Sequence, residues 1–593
     1  MRCIPIALLL AALASACTSA DSRQRRLYDA AQDDVWQGAA TRALERIQKG
    51  EAVAGAPASQ WGWRFRLLRT EALLLRRDTA AALTLLNGLP PLERPDPALA
   101  ARRGYLRALA QTYQGQLSEA AATLEEARQQ AHAAPADGVL LDIDALQGQL
   151  HLRAGRLRDA DALLQDLLAR ASARGDAYHQ AVALHNLGNG RITRNRFDEA
   201  LVFFERILEL KELEQYIIYG TALIGAGISY ARLGQFDRAV SVQRRSIESH
   251  EKRDPPTYLG LALGELGNTY VLHEEQRRGL DYLARALKVA TAAGAASEAA
   301  IWAGNLAKVA IDLGNFDEAE RFNREAIRLK TRTRGSTLYN TFYSARIASG
   351  RGQLADAKRL YQETLEGSEG QPGVRWETLD GLARVALAAG DRRTAARHFG
   401  AALDTIQQTR SDLLKTEYRL TFLSRVIRFY QDYVDTLVAT GDTTRALEVA
   451  DSSRAVVLAE RMGGSATTQA ASVESFVAAA KRTGSVWLTY WLAPERSYVW
   501  VVTGNGIRCV PLPGASAIEQ LVKDYRAMVQ RTATDPLTSP GSAGDALYAM
   551  VVAPVARFIP PGSPVRIVAD GALHGINFET LPVDGPRRHY WIE

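Results

Sequence analysis

The stretch LHNLGNGRITRNRFDEALVFFERILEL, residues 184–210, has the pattern of two helices separated by a short polar turn. Residues 223–249, LIGAGISYARLGQFDRAVSVQRRSIES, repeat that layout about forty positions later. In both, one small residue lies near the middle of the first helix and another lies on the second helix. Two helix axes approach closely only where side chains are small, so this periodicity predicts stacked helical hairpins.

Eight such units lie in phase along the chain. The first small positions are Ala108, Gly148, Gly188, Gly227, Gly267, Ala307, Ala345 and Ala383, and the second are Ala120, Ala160, Ala200, Ala239, Gly279, Ala319, Ala357 and Ala395. Turns such as GQF, GNF and NRF place glycine or asparagine after the first helix, where left-handed backbone is tolerated. A degenerate unit at 61–89 precedes them. The sequence therefore predicts a mainly α protein with an α-solenoid over residues 56–404.

The small residues at the crossing, with a tyrosine such as Tyr230 or Tyr270 between them, resemble the tetratricopeptide repeat in a long-helix form. The resemblance implies a right-handed solenoid whose concave face binds a peptide or another protein domain. It implies as well that the groove is lined by asparagines of the first helices, namely Asn186, Asn189, Asn268 and Asn305. The alternative is that these are polar residues on exposed helix faces.

The N-terminal stretch MRCIPIALLLAALASACTSA differs from the rest of the chain. Arg2 precedes an apolar run that is too short to span a bilayer but has the length of a signal-peptide core. The segment LASAC resembles a bacterial lipobox, in which the cysteine receives lipid, although Ala14 stands where leucine is usual. The resemblance implies a signal peptide over residues 1–16 and lipidation at Cys17.

A lipidated N-terminus and tether are expected over residues 17–55. Thr18, rather than aspartate, follows the cysteine, and the resemblance then points to an outer-membrane lipoprotein of the cell envelope that faces the periplasm. Plain secretion is the alternative. The only cysteines are Cys3, Cys17 and Cys509, so a processed and lipidated chain has no pair left for an intrachain disulfide.

The rhythm changes after residue 404. Residues 405–462 predict long helices that cap the solenoid, and GGSATTQAAS at 463–472 predicts a linker. The segments SVWLTYWLAP and SYVWVVTGNGIRCVPLP then predict strands, with a hairpin at Gly-Asn-Gly. Two helical segments and a buried strand, PVRIVADGAL, follow, which favours a sheet covered by helices.

This order of elements, with VRIVADGALHGINFETLPV at 565–583, resembles the start of a CHAT domain, a caspase-like domain found after tetratricopeptide repeats. Asn577 stands where the family usually has proline. The resemblance implies an incomplete α/β caspase-like domain over residues 473–593.

Protease members of the CHAT family use a histidine and then a cysteine on later strands. Both positions fall beyond Glu593, so no catalytic residue is assigned and the chain as given is expected to be inactive. Cys509 and His574 occur in the reverse order and are interpreted as structural residues. A fragment of a longer protein is favoured over a complete chain with a remnant domain, because a partial sheet leaves an unpaired edge.

The bulk composition excludes several other classes. The 72 Lys and Arg and 66 Asp and Glu residues are interspersed, which gives no basic block for nucleic acid. The sequence HEEQ at His273 lacks the second histidine of a zinc motif, and no phosphate-binding glycine loop occurs. No metal and no cofactor are expected.

Three functions remain open. The first is an envelope-anchored protein-interaction scaffold with a truncated CHAT domain. The second is the N-terminal, regulatory part of a full-length caspase-like cysteine protease. The third is an outer-membrane assembly lipoprotein that holds other lipoproteins in its groove.

Overall fold

The computed structural model describes residues 5–133, 137–256, 258–333, 335–412, 416–461, 471–530, 537, 541–584 and 587–591, with backbone alone for 5–20, 137, 408–412, 416–426 and 455–461. The chain forms two compact units, residues 1–343 and 344–593. The boundary between the units falls inside the region predicted as one solenoid over residues 56–404.

The first unit consists of helices that pair as consecutive hairpins. Their bounds are α1 (Pro5–Gln37), α2 (Ala40–Val53), α3 (Gln60–Leu75), α4 (Thr79–Asn87), α5 (Pro97–Tyr113), α6 (Leu117–His132), α7 (Asp137–Arg153), α8 (Leu157–Ala173), α9 (Ala177–Thr193), α10 (Phe197–Glu209), α11 (Ile217–Arg232), α12 (Phe236–Glu251), α13 (Leu259–Leu272), α14 (Gln276–Ala292), α15 (Ala296–Asp312) and α16 (Phe316–Arg332). Helix α17 (Leu338–Gly350) begins in this unit.

The small residues of the repeat lie where the hairpins cross. A Cβ added at Gly267 of α13 would lie 3.1 Å from the carbonyl oxygen of Gly279, and one added at Gly279 of α14 would lie 3.0 Å from that of Gly267. The backbones of the two helices are therefore in direct contact. The turn residues Asn195 and Gly234 have φ of 57° and 73°, which confirms the left-handed positions expected after the first helices.

The N-terminal segment corrects one expectation. Residues 17–55 are predicted to be a tether, but the structure has the C-terminal part of α1 and the whole of α2 there. Ala31 and Val35 of α1 and Ile47 of α2 are buried together against Phe65 of α3. Their apolar faces make this hairpin one more repeat at the start of the array. The signal peptide and the lipidation of Cys17 concern residues without described side chains and remain predictions.

The second unit combines helices with a small sheet. Its helices are α18 (Leu354–Glu366), α19 (Pro372–Ala388), α20 (Arg392–Asp412), α21 (Thr416–Ala439), α22 (Thr443–Arg461), α23 (Val473–Thr483), α24 (Ala515–Gln530), α25 (Ala543–Val551) and α26 (Ala553–Ala556). Its strands are β1 (Val486–Trp491), β2 (Arg496–Thr503), β3 (Gly506–Pro513), β4 (Val565–Val568), β5 (Pro582–Val583) and β6 (His589–Tyr590). The long helices predicted at 405–462 are present, whereas most of the predicted linker 463–472 lies outside the described residues.

The main sheet has the strand order β3-β2-β1-β4. Strands β1, β2 and β3 are antiparallel, and the two-residue turn between β2 and β3 is the hairpin expected at Gly-Asn-Gly. Strand β4 pairs parallel to β1 at the edge of this sheet. Edge placement explains why β4, expected to be buried, is only half-buried. One sheet face packs on α20–α23 and the other on α24–α26.

Candidate binding face of the helical repeats

The first helices of the hairpins form the inner layer of the repeat unit. Each contacts the next first helix along the chain, as α7 does with α9 and α13 with α15. Second helices such as α10 and α16 turn a broad charged face to solvent. A ligand of the concave side would therefore meet side chains of the first helices.

The four predicted asparagines lie on this inner layer at two equivalent repeat positions. Asn186 and Asn305 come two residues before the small residue of their helix, and Asn189 and Asn268 come one residue after it. Asn305 Nδ2 donates to Asn268 Oδ1 at 3.1 Å, between α15 and α13. Gln149 Nε2 of α7 donates in the same way to Asn186 Oδ1 of α9 at 3.3 Å.

These amides thus connect neighbouring first helices. Asn186 is buried and its Nδ2 has no partner among the described atoms, while the other three asparagines are half-buried. The four asparagines are therefore not the exposed polar residues that the alternative interpretation of the sequence expected. Their role in ligand binding stays a prediction.

A charged network on the inner layer was not expected from the sequence. Arg102 of α5 pairs with Glu71 of α3 at 2.6 Å and with Asp142 of α7. His179 of α9 contacts Asp142 at 3.4 Å and Asp176 at 2.7 Å. The network joins four first helices. The spacing of these residues in the sequence could have revealed the network. Arg102 and Asp142 are one repeat apart. Asp142 and His179 are 37 residues apart, which is also the separation of the hydrogen-bonded amides of Gln149 and Asn186.

The network shifts the acidity of its members. Burial alone would raise the pKa of Asp142, but Arg102 and His179 outweigh burial and hold that pKa below its usual range. Burial alone would lower the pKa of His179, but the hydrogen bonds and charges of Asp142 and Asp176 outweigh it and raise the pKa. Tyr178 adjoins the network, and burial raises the pKa of its hydroxyl. The site is a largely buried network of three acidic side chains and His179 around Arg102, with Tyr178 beside it.

The start and the later part of the repeat unit meet at a seam, formed by residues 33–42 on one side and residues 178, 216–217 and 253–254 on the other. Trp36 stacks on Tyr178 with ring centroids 4.4 Å apart. The Tyr216 hydroxyl donates to Asp33 at 2.6 Å. The Ala40 amide donates to the Asp254 carbonyl at 2.6 Å.

Gly38 allows this close contact. Its φ is +78°, and an added Cβ would lie 2.9 Å from Ile217 Cγ1. A side chain here would strain the backbone and separate the two sides of the seam.

Other early first helices also lie near later ones. Tyr258, before α13, has an electrostatic interaction with Tyr113 at the end of α5. Arg77, after α3, lowers the pKa of Glu298 of α15, although burial outweighs this effect and leaves that pKa raised. Together with the seam, these interactions indicate that the later helices of the repeat unit return to its start.

In the second unit, the structure separates Cys509 from His574. Cys509 packs on the sheet face covered by α20–α23. His574 is exposed, and its neighbour Leu573 packs on the opposite face. Burial raises the pKa of Cys509 to about 12, so its thiol is protonated at neutral pH. The two residues do not form a dyad, in agreement with their structural interpretation.

Asp570, of the conspicuous DGALHGINFETL segment, has a structural partner on each side. Its Oδ2 accepts a hydrogen bond from the Leu492 amide at 2.7 Å, just after β1. Its Oδ1 lies 3.8 Å from Nε of Arg454, which also donates to the Tyr490 carbonyl. This aspartate holds together the ends of the parallel strands β1 and β4.

Two features are absent from the described residues, a membrane-spanning helix and a metal-binding cluster. No helix there is long and apolar enough to cross a membrane. No group of three or more His, Cys, Asp or Glu residues there could hold a metal ion.

Comparison with known proteins finds repeat proteins. A tetratricopeptide-repeat family model matches residues 300–337, which cover most of α15 and all of α16. No curated protein matches the sequence. Similar solved structures include the apo form of RapI (10% identity, 60% of this chain and 98% of that chain, TM-score 0.45). Another is a STAND protein with a tetratricopeptide-repeat sensor from Pyrococcus horikoshii (16% identity, 60% of this chain and 54% of that chain, TM-score 0.42). These structural similarities are too low to support a functional argument.

Proposed function

We propose that this protein is a scaffold that holds a peptide or a domain of a partner protein against the first helices of its repeats. The observation that carries this proposal is the inner layer of α3–α15, where charged and amide side chains recur at equivalent repeat positions. The repeat match at residues 300–337 supports the same class of function. Repeat surfaces of this kind bind extended segments because neighbouring units offer similar contacts in a row.

Site-specific photo-crosslinking tests where the partner binds. A photoreactive residue replaces Ile301, which is 54% exposed on α15 and lies one helical turn before Asn305. The matched control replaces Val202, which is 57% exposed on α10, a second helix. Both sites are exposed and apolar, so both variants should fold. The full-length protein in its native cells is expected to give a discrete protein adduct from position 301 and none from position 202.

An adduct from position 202 alone, or equal adducts from both positions, would contradict binding at the inner layer. Replacing Asn268 by alanine in the position-301 variant adds a second readout, because this change removes the amide pair between α13 and α15 without adding bulk. We expect it to weaken the adduct.

We further propose that the scaffold is anchored at the cell envelope through lipid on Cys17. The lipobox-like LASAC segment supports this part of the proposal. The mature chain would then begin near the hairpin of α1 and α2, so the anchor would adjoin the first repeat.

The second unit supports a second candidate, a CHAT-type domain. Its sheet is covered by helices on both faces, and Asp570 connects β1 with the parallel strand β4. On this proposal the repeats recruit substrate to, or restrain, a caspase-like protease whose dyad is not among the residues of this chain. A longer reading frame with a histidine and then a cysteine after further strands is the expected finding, and a stop codon directly after Glu593 would reject it.

A further inference from the structure

A cavity of about 830 Å³ lies at the seam of the first unit. One wall comes from the turn between α1 and α2, with Gln37, Ala39 and Arg42, and the other comes from residues 211–253. Five basic and three acidic side chains line it. The acidic ones are Glu212, Glu214 and Glu248.

Two of the cations converge on a single oxygen. Lys211 Nζ lies 3.5 Å from the Tyr219 hydroxyl, and Arg245 Nη2 lies 3.4 Å from the same atom. The Tyr219 hydroxyl in turn donates to the Leu208 carbonyl at 3.3 Å, and the residue is 2% exposed. The phenol is therefore held in place, and the side chains of Lys211 and Arg245 both approach its oxygen.

A third cation borders the same cavity. Arg253 donates to the carbonyls of Gln37, Gln215 and Tyr216 and to Ser249 Oγ. Its Nε is buried and has no partner among the residues that the structure describes. Burial lowers the pKa of its guanidinium to about 10.

Within the described residues, Lys211, Arg245 and Arg253 have no carboxylate oxygen within 4 Å, whereas Arg42 pairs with Asp34 at 2.5 Å. The carboxylates of Glu212, Glu214 and Glu248 also line the cavity, but in the part of the chain that the structure describes none of them pairs with these three cations within 4 Å. An anion bound between the cations would reduce their mutual repulsion. Guanidinium and ammonium groups together are the usual donors to phosphate oxygens.

We infer that this seam cavity binds a ligand bearing a phosphate group, with Lys211, Arg245 and Arg253 contacting the oxyanion. The volume exceeds that of phosphate alone, so an organic phosphate fits this site, either as a free metabolite or as a lipid headgroup. Because residues from both sides of the seam line the cavity, a bound ligand would hold the two sides of the seam together. This site is separate from the inner-layer surface of the proposed scaffold.

Titration of the full chain with inorganic phosphate, at constant ionic strength, tests the inference by calorimetry. A parallel arm measures binding to phosphatidylglycerol vesicles against phosphatidylcholine vesicles. The test variant is K211Q/R245Q. The control is R321Q/R324Q, which removes the same charge from exposed positions on α16, where the ion-pair partners Glu318 and Glu320 lie in the same helix.

Saturable binding that K211Q/R245Q weakens at least tenfold, and that the control variant leaves unchanged, supports the site. If only the anionic vesicles show this pattern, the ligand is a lipid headgroup, and if inorganic phosphate shows it, a soluble phosphate suffices. The charge-retaining variant K211R/R245K should keep most of the binding. Absence of saturable binding in both arms, or equal losses in the test and control variants, would overturn the inference, whatever the crosslinking at position 301 shows.

Discussion

Phe204 shows how single residues determine the repeat packing. Its buried ring lies between two glycines of neighbouring first helices: an added Cβ would lie 2.7 Å from Phe204 Cζ at Gly188 and 2.3 Å from it at Gly225. Real Cβ atoms do not approach a ring so closely. The ring therefore occupies space that only glycine leaves open.

Gly225→Ala should lower the free energy of unfolding by about 1–3 kcal/mol, because the ring must move within a closely packed interior. Gly304→Ala is the control. Gly304 also lies in a first helix, but no atom lies within 4 Å of its added Cβ, so alanine should stabilise the helix by about 0.5–1 kcal/mol. Chemical denaturation of both variants measures the difference, and an equal change of the same sign in both would show that Phe204 does not limit the site.

His179 gives the first unit a pH dependence of defined sign. Its pKa in the folded chain is raised, while in the unfolded chain it is about 6.5. The protonated imidazole therefore stabilises the fold fully below about pH 6.5, and this stabilisation is lost as the pH rises through the folded-state pKa.

Compared with His179→Gln, the native chain should be more stable by about 1 kcal/mol at pH 6, and the difference should shrink toward pH 9. Thermal unfolding of both proteins across this range measures it. His250 acts in the opposite direction, because burial lowers its pKa to about 3 and unfolding takes up its proton at acid pH. Because His250 is present in both proteins, its contribution to the free energy of unfolding cancels in the comparison. A difference that grows with pH would contradict the raised pKa.

At the scale of elements, the hairpin of α1 and α2 has two contacts of different kinds. Its apolar face packs on α3 as any repeat packs on the next. In contrast, the region around its turn contacts distant chain segments. The ring of Trp36, near the end of α1, stacks on Tyr178, and backbone hydrogen bonds join Gly38 and Ala40 to Asp254. The first contact is local, and the second closes the seam.

Trp36→Ala should open the seam without unfolding the hairpin. The amides of Ala40 and Asp254, which donate across the seam, are expected to exchange hydrogen at least tenfold faster, while amides within α15 keep their native rates. Trp61→Ala is the control, since Trp61 is also half-buried and packs on Tyr28 and Phe65 away from the seam. Faster exchange at Ala40 in both variants would mean that the seam has no stability of its own.

At the scale of the whole molecule, the chain combines a repeat unit with a smaller helix-and-sheet unit, and the proposed anchor lies at the start of the repeats. The proposed anchoring rests on the lipobox-like LASAC stretch of the N-terminal segment. Its effect must therefore be tested on the full chain.

Cys17→Ser should prevent lipid attachment and release the protein from the membrane fraction. In the lipobox that LASAC resembles, the lipid is attached to the thiol of the cysteine. Incorporation of labelled palmitate and fractionation of cells expressing the full chain measure both effects. The variant Cys3→Ser, within the expected signal peptide, should keep the label. Absence of label from the native protein would favour plain secretion, and equal labelling of both proteins would contradict lipidation at Cys17.

The repeats could be predicted from the sequence because they depend on local, periodic signals. The small residues near position 267 and their equivalents mark the crossings, and Asn195 and Gly234 mark the turns, since each of these features acts within one hairpin. The hairpin of β2 and β3 follows from Gly-Asn-Gly for the same reason. The sequence also placed the four asparagines on the first helices.

Only the tertiary structure decided which distant residues meet. The bond from Gln149 to Asn186, the network around Arg102 and the seam between Gly38 and Asp254 depend on how far each hairpin rotates relative to the last. That rotation accumulates over many packed side chains and leaves no short-range mark in the sequence. The folding of residues 21–53 into a repeat was missed for a related reason, because this apolar face becomes evident only when α3 is present to cover it.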